Sequence, residues 1–431
     1  MMNLHVISLG CDKNRVDTEK MLYRLRGMYD ITADIAQADV IIINTCGFIE
    51  PAREEAIDTI LEAAEYKKDR CSRLVVTGCL PQKFMDELIE AIPEVDVFLG
   101  TNDYDKIVEV VTSENKAYHN STTPCKEIMG RIMTTPPHYA YLKIADGCDN
   151  FCTYCTIPSI RGKYRSTPIE ELVLEAKALA SSGVKELILV AQDVTRYGKD
   201  LYGEYRLVEL IRRLSSLDFT WIRLMYCYPE LVSDELISEI KNNDKVAKYI
   251  DIPIQHVDSE ILKKMNRPST EQSVCEVMDK LKAAGIAVRT TLMTGFPSES
   301  DAQFDKLCRF VESYKLRHVG VFAYCDEDVP SSKIKGKVPD YVRHNRAEKI
   351  SLIHKNNVEA YNQAMVGKTV KVMYEEIDYD KMLFVGRTED CAPDIDTCVY
   401  FKAEFVDIGN IYNIKITGYD GYDLIGEIEN G

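Results

Sequence analysis

The chain has 431 residues, 45% hydrophobic and 28% charged, with a net charge of −16. That is the balance of a soluble globular protein with enough chain for about two to four domains. No segment approaches the roughly 18 uninterrupted apolar residues of a membrane helix, and so acidic a chain repels phosphate backbones unless it carries a local basic patch.

The opening residues, MMNLHVISLG, lack the basic start and apolar run of a signal peptide and read as a strand. Residues 1 to about 100 then alternate β-branched runs with helical patterns. LHVISL precedes a helix near Asp17–Met28, DVIIIN one near Arg53–Ala64, and RLVVTG one near Gln82–Ile92; VDVFLG follows. This alternation predicts a doubly wound parallel α/β domain over residues 1–112. Residues 113–138 are polar and contain prolines, as in SENKAYHNSTTPC and TTPPH, and read as a linker.

Alternation resumes from residue 139 with YAYLKIA, ELILVA, TWIRLM, YIDIPI, IAVRTTLM and HVGVFA. Six βα units predict a partial (βα) barrel whose site lies at the C-terminal mouth. With a helix near Asp340–Met365, this domain spans 139–366. From 367 to 431 the alternation becomes two-residue, in KTVKVMYEE, CVYFKAEFVD, NIYNIKITGYD and DLIGEIE, which predicts a small antiparallel β-barrel. Residues 368–431 carry six Lys/Arg against fourteen Asp/Glu, so half of the net charge sits in under a sixth of the chain.

Fourteen cysteines in a cytosolic chain point to metal ligands or catalytic groups rather than structural disulfides. ADGCDNFCTYC places Cys148, Cys152 and Cys155 on the loop after the first barrel strand. Thiolates suit iron–sulfur clusters or zinc. The loop offers zinc no fourth ligand, whereas three thiolates can hold three irons of a 4Fe–4S cube and leave the fourth open to a small molecule. Cys11, Cys46 and Cys79 follow LHVISL, DVIIIN and RLVVTG, each just past the end of a predicted parallel strand, where ligands of doubly wound sheets gather. Converging, they form a second three-thiolate site. Cys71, Cys125, Cys227, Cys275, Cys308, Cys325, Cys391 and Cys398 read as non-ligands.

C-x3-C-x-aromatic-C, with Tyr154 as the aromatic, resembles the signature of radical S-adenosylmethionine (SAM) enzymes. That resemblance implies SAM chelated at the open iron, one-electron cleavage to a deoxyadenosyl radical, and hydrogen abstraction from an unactivated carbon. It gives Tyr154 the adenine contact, Gln192 and Asp193 in LVAQD the methionine moiety, and Arg289 a place among the cofactor-binding residues. Gln255, His256 and Thr291 are looser assignments, and His256 serves equally as a hydrogen-bonded structural histidine. Arg161, Lys163 and Arg165 in IRGKYR form a basic cluster that meets the cofactor carboxylate, meets an acidic target, or is a solvated face.

Both cysteine sets in this order, with a terminal barrel, resemble the radical SAM methylthiotransferases over essentially the whole chain. This implies two 4Fe–4S clusters with SAM, and an OB-like TRAM domain at the C-terminus. One branch of the family modifies a tRNA adenosine. The other adds methylthio to the β-carbon of an aspartate on small-subunit ribosomal protein twelve. SLGCDKNRVDTE, NTCGFIEPAREE, VVTGCLPQ, IADGCDNFCTYCTIPSIRGKYRS, DIPIQHVDSEILKKMNRP and GRTEDCAPDID resemble the protein-modifying branch. An acidic terminal barrel suits a basic ribosomal protein better than tRNA. The implied partners are that protein, a sulfur donor and a one-electron reductant, with neither membrane nor nucleic-acid substrate. A two-cluster electron carrier is the rival of another class; it requires four protein ligands per cluster. Two positions depart from the family pattern: Ser298 in GFPSES replaces a glycine, and Cys391 stands where an aspartate is usual.

Overall fold

The computed structural model describes residues 2–125, 130–326 and 329–429. It divides into two compact units, Met1–Thr134 with Asp146–Arg165, and Thr135–Ala145 with Ser166–Gly431. Among the described residues no helix is long and apolar enough to cross a membrane.

The first unit is built on a six-stranded parallel sheet. In chain order its strands are Met2–Ser8, Tyr29–Ile31, Val40–Thr45, Arg73–Gly78, Val97–Gly100 and Ala117–His119, and their spatial order is 2-1-3-4-5-6. Strand Val40–Thr45 is buried throughout, which is why it reads as an unbroken apolar run. Its alternate residues serve two cores. Ile41 and Ile43 pack with Ala56, Ile60, Leu80 and Leu88. Val40 and Ile42 pack on the other face with Met21, Leu22, Leu25 and Val110. Helices therefore cover both faces, as expected of a doubly wound domain. The first helix, Asp12–Leu25, begins five residues before its predicted start, with Cys11 as its N-cap.

Two three-residue edge strands, Tyr29–Ile31 and Ala117–His119, were not predicted. The second lies in the expected linker. Further along that segment, Ile132 N–H donates to the Glu19 carbonyl (3.1 Å), and the Thr134 N–H and hydroxyl donate to the Glu19 carboxylate (2.7 and 2.9 Å). The described parts of 113–134 are thus packed onto the sheet unit.

In the second unit the six predicted strands appear as Tyr139–Lys143, Glu186–Val190, Trp221–Leu224, Val246–Asp251, Ala287–Thr294 and His318–Ala323. They pair in parallel and in sequential order. Helix Asp340–Met365 follows. The terminal barrel closes from Thr369–Asp378, Leu383–Arg387, Val399–Lys402, Ile411–Asp420 and Asp423–Ile428. One of its pairings, Val399–Lys402 with Asp423–Ile428, is parallel and the rest are antiparallel. Val372, Tyr374, Val399, Phe401, Ile414, Ile416 and Leu424 fill it.

A buried polar seam joins this barrel to residues at or near the starts of several parallel strands and to Arg223 and Tyr249 within two others. Glu186 accepts from Arg223 Nε at 2.6 Å and from Arg387 Nη2. Arg387 Nε donates to Glu375 (2.7 Å), which also meets His138 Nε2 at 2.9 Å. Asp396 accepts from Tyr249 (2.7 Å) and pairs with His318 (3.2 Å) and Arg289 (3.4 Å). Arg317 pairs with Asp390 and donates to the Cys391 sulfur at 3.4 Å. In a parallel barrel, residues at the N-terminal face mostly serve stability. Three of the barrel's acids, Glu375, Asp390 and Asp396, are therefore engaged internally, so its outward charge is smaller than its composition suggests.

Candidate functional site

The strands of the first unit end in register. Ser8 pairs with Asn44, and Thr45 with Gly78, so the chain passes from paired residues almost directly into Cys11, Cys46 and Cys79. The sheet reverses its strand order between Met2–Ser8 and Val40–Thr45. Such a switch point opens a crevice at the C-terminal strand ends. A Cβ on Gly10 would meet Cys46 Cβ at 2.8 Å and its sulfur at 3.4 Å, and one on Gly47 would meet the Cys79 carbonyl oxygen at 2.8 Å. Gly10 also has φ +86°. These glycines let the three tips close together.

Asn14 fastens the tips. It is fully buried; its Nδ2 donates to the Leu9 carbonyl (3.2 Å) and the Thr45 carbonyl (3.1 Å), and its Oδ1 accepts from the Cys79 thiol at 3.8 Å. Asn44 Nδ2 donates to the Asn14 carbonyl and the Thr18 hydroxyl, both at 2.9 Å.

The Cys148–Cys155 loop belongs to this same unit. Its shape depends on Gly147, at φ +78°, where a Cβ would collide with the Lys163 carbonyl oxygen. Cys148 N–H donates to the Gly162 carbonyl (3.0 Å), and the Ile157 N–H is aimed at the Cys155 sulfur (3.4 Å). Cys148 and Cys152 are buried, while Tyr154 and Cys155 are half-buried.

The expected basic cluster disperses. Lys163 is exposed, and Arg165 donates to the Arg161 and Lys163 carbonyls of its own loop. Arg161 is 2% exposed and reaches the first cysteine set. Its Nη1 meets Asp17 (2.8 Å) and Asp146 (3.1 Å), and its Nη2 donates to Asn14 Oδ1 (2.5 Å).

Burial pushes the Cys79 thiol up to about 11, against the pull of the Arg161 charge; the neighbouring Cys11 and Cys46 add to the rise. Burial likewise raises Cys46, with Cys11 acting in the same direction and the Phe48 N–H and Arg161 opposing. Cys11 thus acts on the ionisation of both Cys46 and Cys79, and Cys46 on that of Cys79. Burial opposes the Arg161 charge, but Cys79, Asp146 and Asp17 outweigh it and keep the guanidinium protonated. The Tyr104 hydroxyl, buried and without a hydrogen-bond partner, lies within the fields of Asp17, Arg161 and Cys79.

Among the described residues, no three His, Cys, Asp or Glu side chains stand close enough to share a single metal ion. The ligands of a cubane cluster bind different irons and stand wider apart. Two sets of three soft donors, one beside a buried cation and an orphaned hydroxyl, fit such a cluster better than a lone zinc.

The remaining predicted residues lie in the second unit. Gln192 and Asp193 follow strand Glu186–Val190. Asp193 is fully buried and caps the next turn, accepting from Thr195 Oγ1 (2.5 Å) and Arg196 N–H (3.3 Å). Gln255, at φ +67°, bridges to the Ala287–Thr294 strand through Thr291 and Met293. His256 is buried and hydrogen-bonded through both ring nitrogens: Nδ1 accepts from the Asp258 N–H (2.9 Å), so Nε2 donates to Glu299 (3.2 Å). Arg289, expected with the cofactor-binding residues, is the third residue of its strand and is held by Asp251 (3.2 Å) and Asp396 (3.4 Å). The seam thus engages its charge at the N-terminal half of the strand. Ser298 takes φ +72°, the left-handed backbone that explains a glycine in the family pattern.

Sequence reasoning missed Asn14 and Asp17, three residues apart on one helix face, in a helix that also buries Lys13, Thr18, Glu19 and Lys20. The run DKNRVDTEK gave no sequence pattern that would mark these polar residues as buried.

Residues 142–311 match the radical SAM superfamily, residues 3–100 the uncharacterized protein family UPF0004, and residues 366–428 the TRAM domain. Two solved structures share the fold. The radical SAM methyltransferase TsrM from Kitasatospora setae has a TM-score of 0.56 at 11% identity, covering 87% of this chain and 79% of that one. The cobalamin-dependent SAM radical enzyme OxsB has a TM-score of 0.52 at 13% identity, covering 84% and 56%. The fold and the cysteine loop define a radical SAM enzyme, a class that works with a 4Fe–4S cluster and SAM.

Two bacterial relatives narrow this further, both named ribosomal protein uS12 methylthiotransferase RimO. The one from Clostridium tetani is 45% identical over 433 residues, 98% of this chain and 97% of that protein. The one from Acetivibrio thermocellus is 46% identical over 443 residues, 99% and 98%. The chain belongs to the RimO family of radical SAM methylthiotransferases.

Proposed function

We propose that the chain adds a methylthio group to the β-carbon of an aspartate on ribosomal protein uS12, using two 4Fe–4S clusters and SAM, in the cytoplasm. Cys148, Cys152 and Cys155 hold one cluster, and Cys11, Cys46 and Cys79 the other. The observation that carries this reading is the meeting of three strand-tip cysteines around Asn14 and Arg161, in the unit that also holds the Cys148–Cys155 loop.

When bound, the clusters and SAM supply the one-electron chemistry that replaces a β-hydrogen with methylthio. The chain's own residues position and shield. Gly147 and Gly162 shape the loop so that its thiols converge. The Ile157 N–H stabilises negative charge on the Cys155 sulfur. Tyr154 is the residue expected at the adenine. A sulfur donor and a one-electron reductant complete the partners.

A tRNA substrate is the alternative, and the terminal barrel argues against it. Glu376, Asp380, Asp394, Glu404, Asp407, Asp420, Glu427 and Glu429 are exposed there against five lysines. That excess is smaller than composition implies, yet it still favours a basic protein over a phosphate backbone. The test is a strain lacking its own methylthiotransferases, with this chain supplied or withheld. A methylthio mass gain on uS12, with unchanged tRNA nucleosides, is expected. Methylthio-adenosine with unmodified uS12 would reverse the assignment.

A further inference from the structure

We propose that Arg161 is a positioning residue that keys the Cys148–Cys155 loop to the Cys11, Cys46 and Cys79 site and whose fixed charge raises the reduction potential of the cluster there; this rests on the two-cluster reading above.

Arg161 links the segments that carry the two cysteine sets. It touches Asp146, two residues before Cys148, and Asp17 on the helix that Cys11 caps. Through Asn14 it is one hydrogen bond from the Thr45 carbonyl, which precedes Cys46, and from the Cys79 thiol. A displaced guanidinium releases Asn14, and Asn14 ties the strand tips together. The guanidinium is also buried, so water screens its charge little. A nearby cation stabilises the more negative, reduced form of a cluster and raises its potential; net charge and hydrogen bonds to sulfur are the protein's usual means of tuning.

A plain fastener and a charge that tunes differ in sign. If Arg161 only fastens the loop, Arg161→Met and Asp17→Asn loosen the same contacts and act in the same direction. If its charge tunes the site, they act oppositely. The measurement uses the full chain with Cys148, Cys152 and Cys155 changed to Ala, reconstituted with iron and sulfide and titrated anaerobically with dithionite, the electron source, under EPR.

Arg161→Met is expected to lower the reduced-to-oxidised ratio about tenfold at fixed potential, about 59 mV for one electron. Asp17→Asn is expected to shift it upward, and Arg161→Lys to stay near the parent. Equal potentials in all variants, or Met and Asn shifts of one sign, would overturn the proposal. Should the Met variant hold no iron, the Lys and Asn variants decide: parent-like Lys with an upward Asn shift supports it, and an unmoved or downward Asn shift overturns it. A parent that takes up no iron defeats the N-terminal cluster assignment itself, and the proposal with it.

Discussion

The cysteine site of the first unit and the seam of the second both bury arginines, yet they treat the charge differently. In the seam each buried cation meets a carboxylate: Glu186 lies between Arg223 and Arg387, and Asp396 between His318 and Arg289. At the cysteine site Arg161 stands among two carboxylates, an amide and a thiol raised to about 11. That thiol must lose its proton to bind metal, and a held cation favours the loss. The seam is a closed ion network and holds domains together. The cysteine site instead sets an amide and a raised thiol beside its cation as well as two carboxylates, so the cation also bears on a group that must deprotonate to ligate a cluster.

The largest contrast is functional. In reduced, loaded enzyme, Cys152→Ala should abolish deoxyadenosine formation from SAM, while Cys46→Ala should keep it and lose methylthio transfer. Product analysis by mass spectrometry reads both, and sulfur transfer by the Cys46 variant would remove the distinction between the two cysteine sets. The seam answers in stability instead. Glu186→Gln leaves Arg223 and Arg387 buried without their shared carboxylate and should cost about 3–5 kcal/mol in urea unfolding.

His318 gives the seam a pH signature. Burial pushes its pKa down, but Asp396 pushes harder the other way, and it settles at about 9 against an ordinary 6.5. A raised folded pKa means the stabilisation is complete below pH 6.5 and lost as pH rises through 9. The fall should be at most about 3 kcal/mol across that window. Thermal unfolding of the parent and of His318→Gln as a function of pH checks this; the variant should lose most of the slope. The smallest effect is at Ser298. Glycine there relieves φ +72° but gives up the Lys264 hydrogen bond (2.6 Å), for a net gain of about 0.5 kcal/mol.

The contrast also explains what could be read beforehand. Apolar runs marked the longer parallel strands, because parallel strands buried on both faces need near-continuous apolar sequence. The three-residue edge strands and the five-residue Leu383–Arg387 had too little pattern to register. Cys11, Cys46 and Cys79 were legible because each follows a strand end, and strand ends share an edge. Arg161 was grouped with Lys163 and Arg165 because they are neighbours in sequence. Its actual partner, Asn14, is 147 residues away, a convergence that no local pattern records. The seam was invisible for the same reason: Arg289 and its partner Asp396, from the terminal barrel, are far apart in sequence.

On the proposed function, one unit carries two separate three-cysteine cluster sites. Iron and sulfide content of the anaerobically reconstituted chain tests it most directly. About eight irons are expected in the parent and about four in each of two variants, one with Cys11, Cys46 and Cys79 changed to Ala and the other with Cys148, Cys152 and Cys155 changed to Ala. Parental iron retained after loss of Cys11, Cys46 and Cys79 would contradict it.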